Sequence, residues 1–164
     1  WIQLFSFFGL AKVQRVAPIA HRVAGKGNLD MDTAMAILNN RFQIMAQYRK
    51  LVIAPLVKQE LGKADASVRH HFRRAKALLS RETSLLDETH QARIQRLLEE
   101  SQALKVIYEK RIALQQIWVK TSSNGHEMLD AIKQWVSDAE ASGIQSLREF
   151  AEQLKTYSLR PANA

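Results

Sequence analysis

Apolar residues recur along this chain at steps of three and four, and no run alternates as a strand would. That period marks helices with one buried face. Asn28 or Asp30 is placed to cap a first long helix, with Met31, Met35, Leu38, Phe42, Met45, Val52 and Leu56 on its apolar side. Arg49 interrupts that side, Pro55 is expected to kink or end the helix, and Gly62 closes the segment. A basic helix is expected over 66–80. Asp87 then caps a charged helix running to Glu100, and Ser101 caps the next, with Leu104, Ile107, Tyr108, Leu114 and Trp118 inward. Ser122-Ser123-Asn124-Gly125 reads as a loop. Leu129, Ile132, Val136 and Ala139 form another stripe, which Ser142-Gly143 ends. Ile144, Leu147, Ala151 and Leu154 form the last, with Phe150 beside them. The pattern predicts an all-α, antiparallel multi-helix bundle.

The first ten residues, Trp1-Ile2-Gln3-Leu4-Phe5-Ser6-Phe7-Phe8-Gly9-Leu10, do not fit that scheme. They are apolar and aromatic, yet too short to span a bilayer, which takes ~20 apolar residues. They also lack the basic start and small-residue cleavage site of a signal peptide. This opening reads as the tail of a preceding unit. Trp1, Phe5, Phe7 and Phe8 suit a membrane interface, with Lys12 and Arg15 meeting headgroup phosphates. The chain divides into an interfacial segment and basic connector over 1–27 and a helical domain over 28–164.

Composition adds two constraints. The 164 residues contain no cysteine, which excludes disulfides, zinc fingers, iron–sulfur clusters and thiol catalysis. The net charge of +8 is unevenly placed. Residues 1–81 carry 14 Lys/Arg against 4 Asp/Glu, and residues 82–164 carry 10 against 12. One basic half implies an anionic partner, either lipid headgroups or nucleic acid. The densest run is Arg69, His70, His71, Arg73, Arg74, Lys76 and Arg81. Arg69, Arg73, Arg74 and Lys76 are its candidate contacts to phosphate. Phe72 is the one aromatic among them, which gives little support to stacking on single strands.

Catalytic motifs are wanting. The histidines, His21, His70, His71, His90 and His126, show neither a His-Glu-x-x-His motif nor a Glu-x-x-His pair. On a helix, His70 and His71 would point about 100° apart. Gly25-Lys26-Gly27 lacks the spacing of a phosphate loop. No Gly-x-Ser-x-Gly elbow is present, and the carboxylates after Glu82 fall on solvent faces. No catalytic, cofactor or metal residue is assigned within this stretch.

Longer strings carry two resemblances. Gly9-Leu10-Ala11-Lys12-Val13-Gln14-Arg15-Val16-Ala17-Pro18, Asn40-Arg41-Phe42-Gln43-Ile44-Met45, Ser101-Gln102-Ala103-Leu104 and Ala139-Glu140-Ala141-Ser142-Gly143-Ile144 resemble, in order, the region following the catalytic domain of bacterial membrane fatty-acyl desaturases. That resemblance implies an oxidoreductase of lipid metabolism whose di-iron centre is held by histidine boxes lying before Trp1. This chain would be its C-terminal helical domain, at the cytoplasmic face of the inner membrane. Its partners would be the anionic membrane surface, the rest of the desaturase and an electron-donor protein. The stripes of the helices after Asp87 would suit such a protein partner or a second subunit.

From Leu29 to Tyr157 the chain is also similar to the C-terminal part of an Asp-Asp-Glu transposase family. The corresponding motif there is Asp-Arg-Phe-His, whose Asp binds a catalytic metal. Here it reads Asn40-Arg41-Phe42-Gln43, and a neutral amide is a poor ligand for Mg²⁺. The desaturase tail is the leading expectation. A transposase-derived, DNA-binding helical domain that has lost its catalytic Asp is the alternative.

Overall fold

A computed structural model describes residues 29–120 and 124–157. Among them the ordered elements are helices: α1 (Met31–Asn39), α2 (Arg41–Tyr48), a π-helical turn (Arg49–Ile53), α3 (Ala54–Lys63), α4 (Ala66–Arg69), α5 (Ala75–Leu79), a 3-10 turn (Thr83–Leu85), α6 (Glu88–Glu100), α7 (Gln102–Lys120), α8 (Gly125–Ala141) and α9 (Gln145–Lys155). The all-α bundle expected from the periodicity forms. Consecutive helices from α5 to α9 pack on one another, and α8 also covers α1. Residues 1–28, with the proposed boundary at 27/28, lie outside the described residues.

Several caps act as the sequence indicates. Asp30 Oδ1 accepts from the Thr33 N–H at 2.8 Å, and Asp87 Oδ1 from the His90 N–H at 2.8 Å. Ser101 Oγ accepts from the Leu104 N–H at 3.2 Å and donates to Glu60 Oε2 at 2.9 Å, tying the α6–α7 corner to α3. Gly143 adopts φ 75° after α8, a left-handed conformation that glycine takes without Cβ strain. The stripes of α7, α8 and α9 are inward as expected, with Leu104, Ile107, Leu114, Ile132, Val136, Ala139, Leu147, Ala151 and Leu154 buried.

The first helix departs from expectation. It breaks at Asn40 (φ −124°, ψ 35°), where the side-chain amide donates to the Ala36 carbonyl at 3.0 Å. The buried face is not the expected one. Ala34, Ile37, Ile44, Tyr48, Val52, Ile53 and Leu56 are inward, whereas Met35 is 43% exposed and Phe42 88% exposed. The inward residues from Ala34 to Val52 also recur at steps of three, four and seven, so the segment offers two helical stripes and packing selects this one. Pro55 does not stop the helix either. The π turn widens the backbone just before it, with the Ala54 N–H reaching Arg49 O, and Pro55 sits in the first turn of α3. The first turn is where a missing N–H is tolerated.

The centre is aromatic. Tyr48, Trp135 and Phe150 meet edge to face, with centroid separations of 5.1 to 6.4 Å. The Tyr48 hydroxyl donates to Ile107 O at 2.5 Å and the Trp135 indole N–H to Lys110 O at 2.8 Å. Burial pushes the Tyr48 pKa far above the ordinary phenol value, so this hydroxyl keeps its proton and remains a donor.

Candidate nucleic-acid interface

The basic segment is not the continuous helix expected over 66–80. It consists of α4, a run of turns, and α5, with Arg74 in the left-handed region at φ 63°. That conformation costs a non-glycine residue about 1–2 kcal/mol. Burial of Phe72 before the break and of Ala75, Leu78 and Leu79 after it offsets this cost. The turns change where the histidines go. Instead of diverging as on a helix, the His70 and His71 rings lie 3.8 Å apart between centroids, tilted by 58°.

Across from them runs α6. Its buried side is Ile94 and Leu97. Thr89, Ala92, Arg93 and Arg96 form another stripe at helical spacing. With His70 and His71 they line a cavity of about 480 Å³. At one end His71 Nδ1 bonds Glu100 Oε1 at 2.5 Å. Beyond the other end, Arg81 donates to His90 Nε2 at 2.8 Å, so His90 Nδ1 carries the proton donated to Asp87 Oδ1 at 2.6 Å. Of the carboxylates of α6 and its cap, Asp87, Glu99 and Glu100 each have a hydrogen-bond partner. Arg93 and Arg96 have no ion pair or hydrogen bond among the described residues, and neither do the exposed side chains of Arg73, Arg74 and Lys76. Arg69 reaches only the Ala64 carbonyl, at 3.4 Å.

The backbone N–H and imidazole of His90 hold the Asp87 carboxyl below its ordinary pKa. A depressed carboxyl pKa adds stability above its unfolded value and loses it as pH falls through the folded one. The start of α6 is therefore expected to loosen below about pH 4. Amide exchange of His90 should accelerate there relative to the middle of α6, and Asp87→Asn should flatten that pH dependence.

Of the sequence-derived contacts, Arg69, Arg73, Arg74 and Lys76 all fall in or beside the broken segment. Thr89, Arg93 and Arg96 were missed, because on α6 alone they read as a solvent-facing polar side. Trp1, Phe5, Phe7, Phe8, Lys12 and Arg15 lie outside the described residues.

Comparison with known proteins identifies the lineage. A family model described as a transposase, of the DDE type and ISL3 group, matches residues 31–163. This chain belongs to that transposase family. It is also 28% identical over 123 residues to the transposase for insertion sequence element IS1001 of Bordetella parapertussis. That match covers 74% of this chain and 30% of the relative, so the chain spans about a third of the relative's length. No solved structure matches.

Membership of the transposase family overturns the desaturase reading. The oxidoreductase activity, the role in lipid metabolism and the inner-membrane location fall with it. The expected membrane surface, desaturase and electron-donor partners lose their support, and the di-iron group was implied by that resemblance alone. No described helix is long and apolar enough to cross a membrane. The strings that suggested a desaturase include Asn40–Met45, Ser101–Leu104 and Ala139–Ile144, all within the span the transposase family model matches. Short strings report common descent of a segment, not the chemistry of whatever it is joined to.

The metal of an Asp-Asp-Glu site does not fit the described residues. The position that resembles the motif Asp is Asn40, whose amide N–H donates to Ala36 O and whose neutral amide oxygen is a poor Mg²⁺ ligand. No group of three or more His, Asp or Glu side chains that could hold a metal ion occurs among the described residues. No step through a metal is assigned to them.

Proposed function

We propose that this chain is the helical part of a transposase lineage that grips nucleic acid through its phosphates and supplies no metal ligand at Asn40. The observation that carries the reading is the set of unpaired guanidinium groups, Arg93 and Arg96 at the cavity and Arg73 and Arg74 in the turns that follow His71, in a chain of this family. Guanidinium groups without carboxylate partners are free to meet phosphate oxygens bidentately. Contacts of this kind fix position on the duplex and carry no sequence information.

Fluorescence anisotropy with a labelled duplex tests it. Four phosphate contacts should weaken binding by roughly 100-fold between 50 and 200 mM salt. Replacing Arg73 and Arg74 by Gln should reduce the logarithmic salt slope by about 2. No binding at low salt would sink the proposal.

A further inference from the structure

We infer that the cavity between the His70–His71 turn and α6 is a phosphate seat, receiving one phosphodiester of the bound nucleic acid. This rests on the nucleic-acid reading above, but it assigns a discrete site where that reading asks only for a basic surface. The lining residues are His70, His71, Thr89, Ala92, Arg93 and Arg96, which bring two guanidinium groups, two imidazoles and a hydroxyl around one space. Apart from the methyl of Ala92, these are hydrogen-bond donors or groups that become donors, and the lining contains no carboxylate. A tetrahedral dianion or monoanion matches that set, whereas a cation or an apolar side chain does not.

The surroundings leave the seat positive. Glu100, four residues after Arg96 on α6, is held by His71 Nδ1, Glu99 accepts from Gln95 Nε2, and Asp87 is held by His90. Arg111, Arg81 and Arg69 each have a protein acceptor. Arg93 and Arg96 have none among the described residues, although they lie one turn apart on α6. Like charges at that spacing destabilise a helix slightly, a disadvantage that an anion between them removes. Ala92 supplies the room. It stands between Thr89 and Arg96 on the stripe, and a longer side chain there would occupy the space directly.

Ala92→Leu is therefore the decisive variant in the full chain. It fills the cavity, changes no charge, and replaces one exposed helix-former by another, so α6 is retained. Arg93→Gln with Arg96→Gln removes the donors, and Arg148→Gln on α9 removes an exposed charge elsewhere. Two readouts are made: duplex affinity by anisotropy, and the NMR ring signals of His70 and His71 titrated with inorganic phosphate.

Ala92→Leu is expected to weaken duplex binding about tenfold, the worth of one charge-assisted contact. It should also abolish the phosphate-induced shifts of both rings seen in the unmodified chain. Arg148→Gln should leave both readouts nearly unchanged. Duplex binding unaffected by Ala92→Leu, with no ring shifts under phosphate, would overturn the seat and leave the broader nucleic-acid reading standing. Ring shifts that Ala92→Leu abolishes, in a chain that binds no duplex, would keep the seat with free phosphate as its ligand and overturn the nucleic-acid reading.

Discussion

Phe150→Ala should lower stability by about 3–5 kcal/mol, the usual loss for a large aromatic removed from a packed core. Phe150 is almost wholly buried on α9. Its ring meets Tyr48 at 5.1 Å and Trp135 at 6.0 Å between centroids, edge to face in both cases. Removing it leaves a void where α9 packs against the π turn and against α8, so the second helix to suffer is the one that carries Tyr48. The edge-to-face pairs are lost as well, at about 0.5–1.5 kcal/mol each beyond area. A thermal melt followed by circular dichroism should show the midpoint fall by roughly 10 °C. Phe150→Leu should recover much of the loss, because it restores volume without the ring pairing. Equal destabilisation by the Leu and Ala variants would show that ring geometry, not filled volume, holds this corner.

Arg111→Met should be the next most damaging change, at about 2–4 kcal/mol. Arg111 is buried within α7, and its guanidinium is held by two backbone carbonyls: Nη2 donates to Ser80 O at 2.8 Å and Nη1 to Arg81 O at 3.2 Å. These carbonyls follow α5, where the chain leaves the helix. Burial pulls the Arg111 pKa below the ordinary arginine value, while the nearby Glu82 carboxylate pushes it back up. Glu82 is also placed by the Gln115 amide at 3.4 Å. Methionine keeps most of the apolar volume but leaves the two carbonyls without their donors. Arg111→Lys should fall between, since one ammonium on a flexible stem cannot reproduce the fork. Urea denaturation separates these cases. A Met variant as stable as the parent would mean that the carbonyls find other partners. Because Arg111 anchors the end of the basic segment, its loss should also loosen the His70–His71 turn and weaken any anion held there.

The helical class, the caps at Asp87 and Ser101, the stop at Gly143 and the apolar stripes of α7 to α9 were legible in the sequence. Each depends on local periodicity or on a side chain reaching its own backbone within a few residues. The basic character of residues 66–81 was legible for the same reason, since charge is a property of composition. Other features were decided by contacts distant along the chain. Packing selected the stripe that turns Phe42 outward and Tyr48 inward, one of two that the helical period allows there. The His70 and His71 rings meet in the turns between α4 and α5, where Phe72 and Ala75 are buried. Arg93 and Arg96 became part of a cavity only because α6 lies against that turn. Sequence alone determined how each segment presents its apolar and charged residues, because those preferences act over one or two turns. Tertiary structure alone decided which charges stay unpaired, since pairing depends on which carboxylates packing brings within reach.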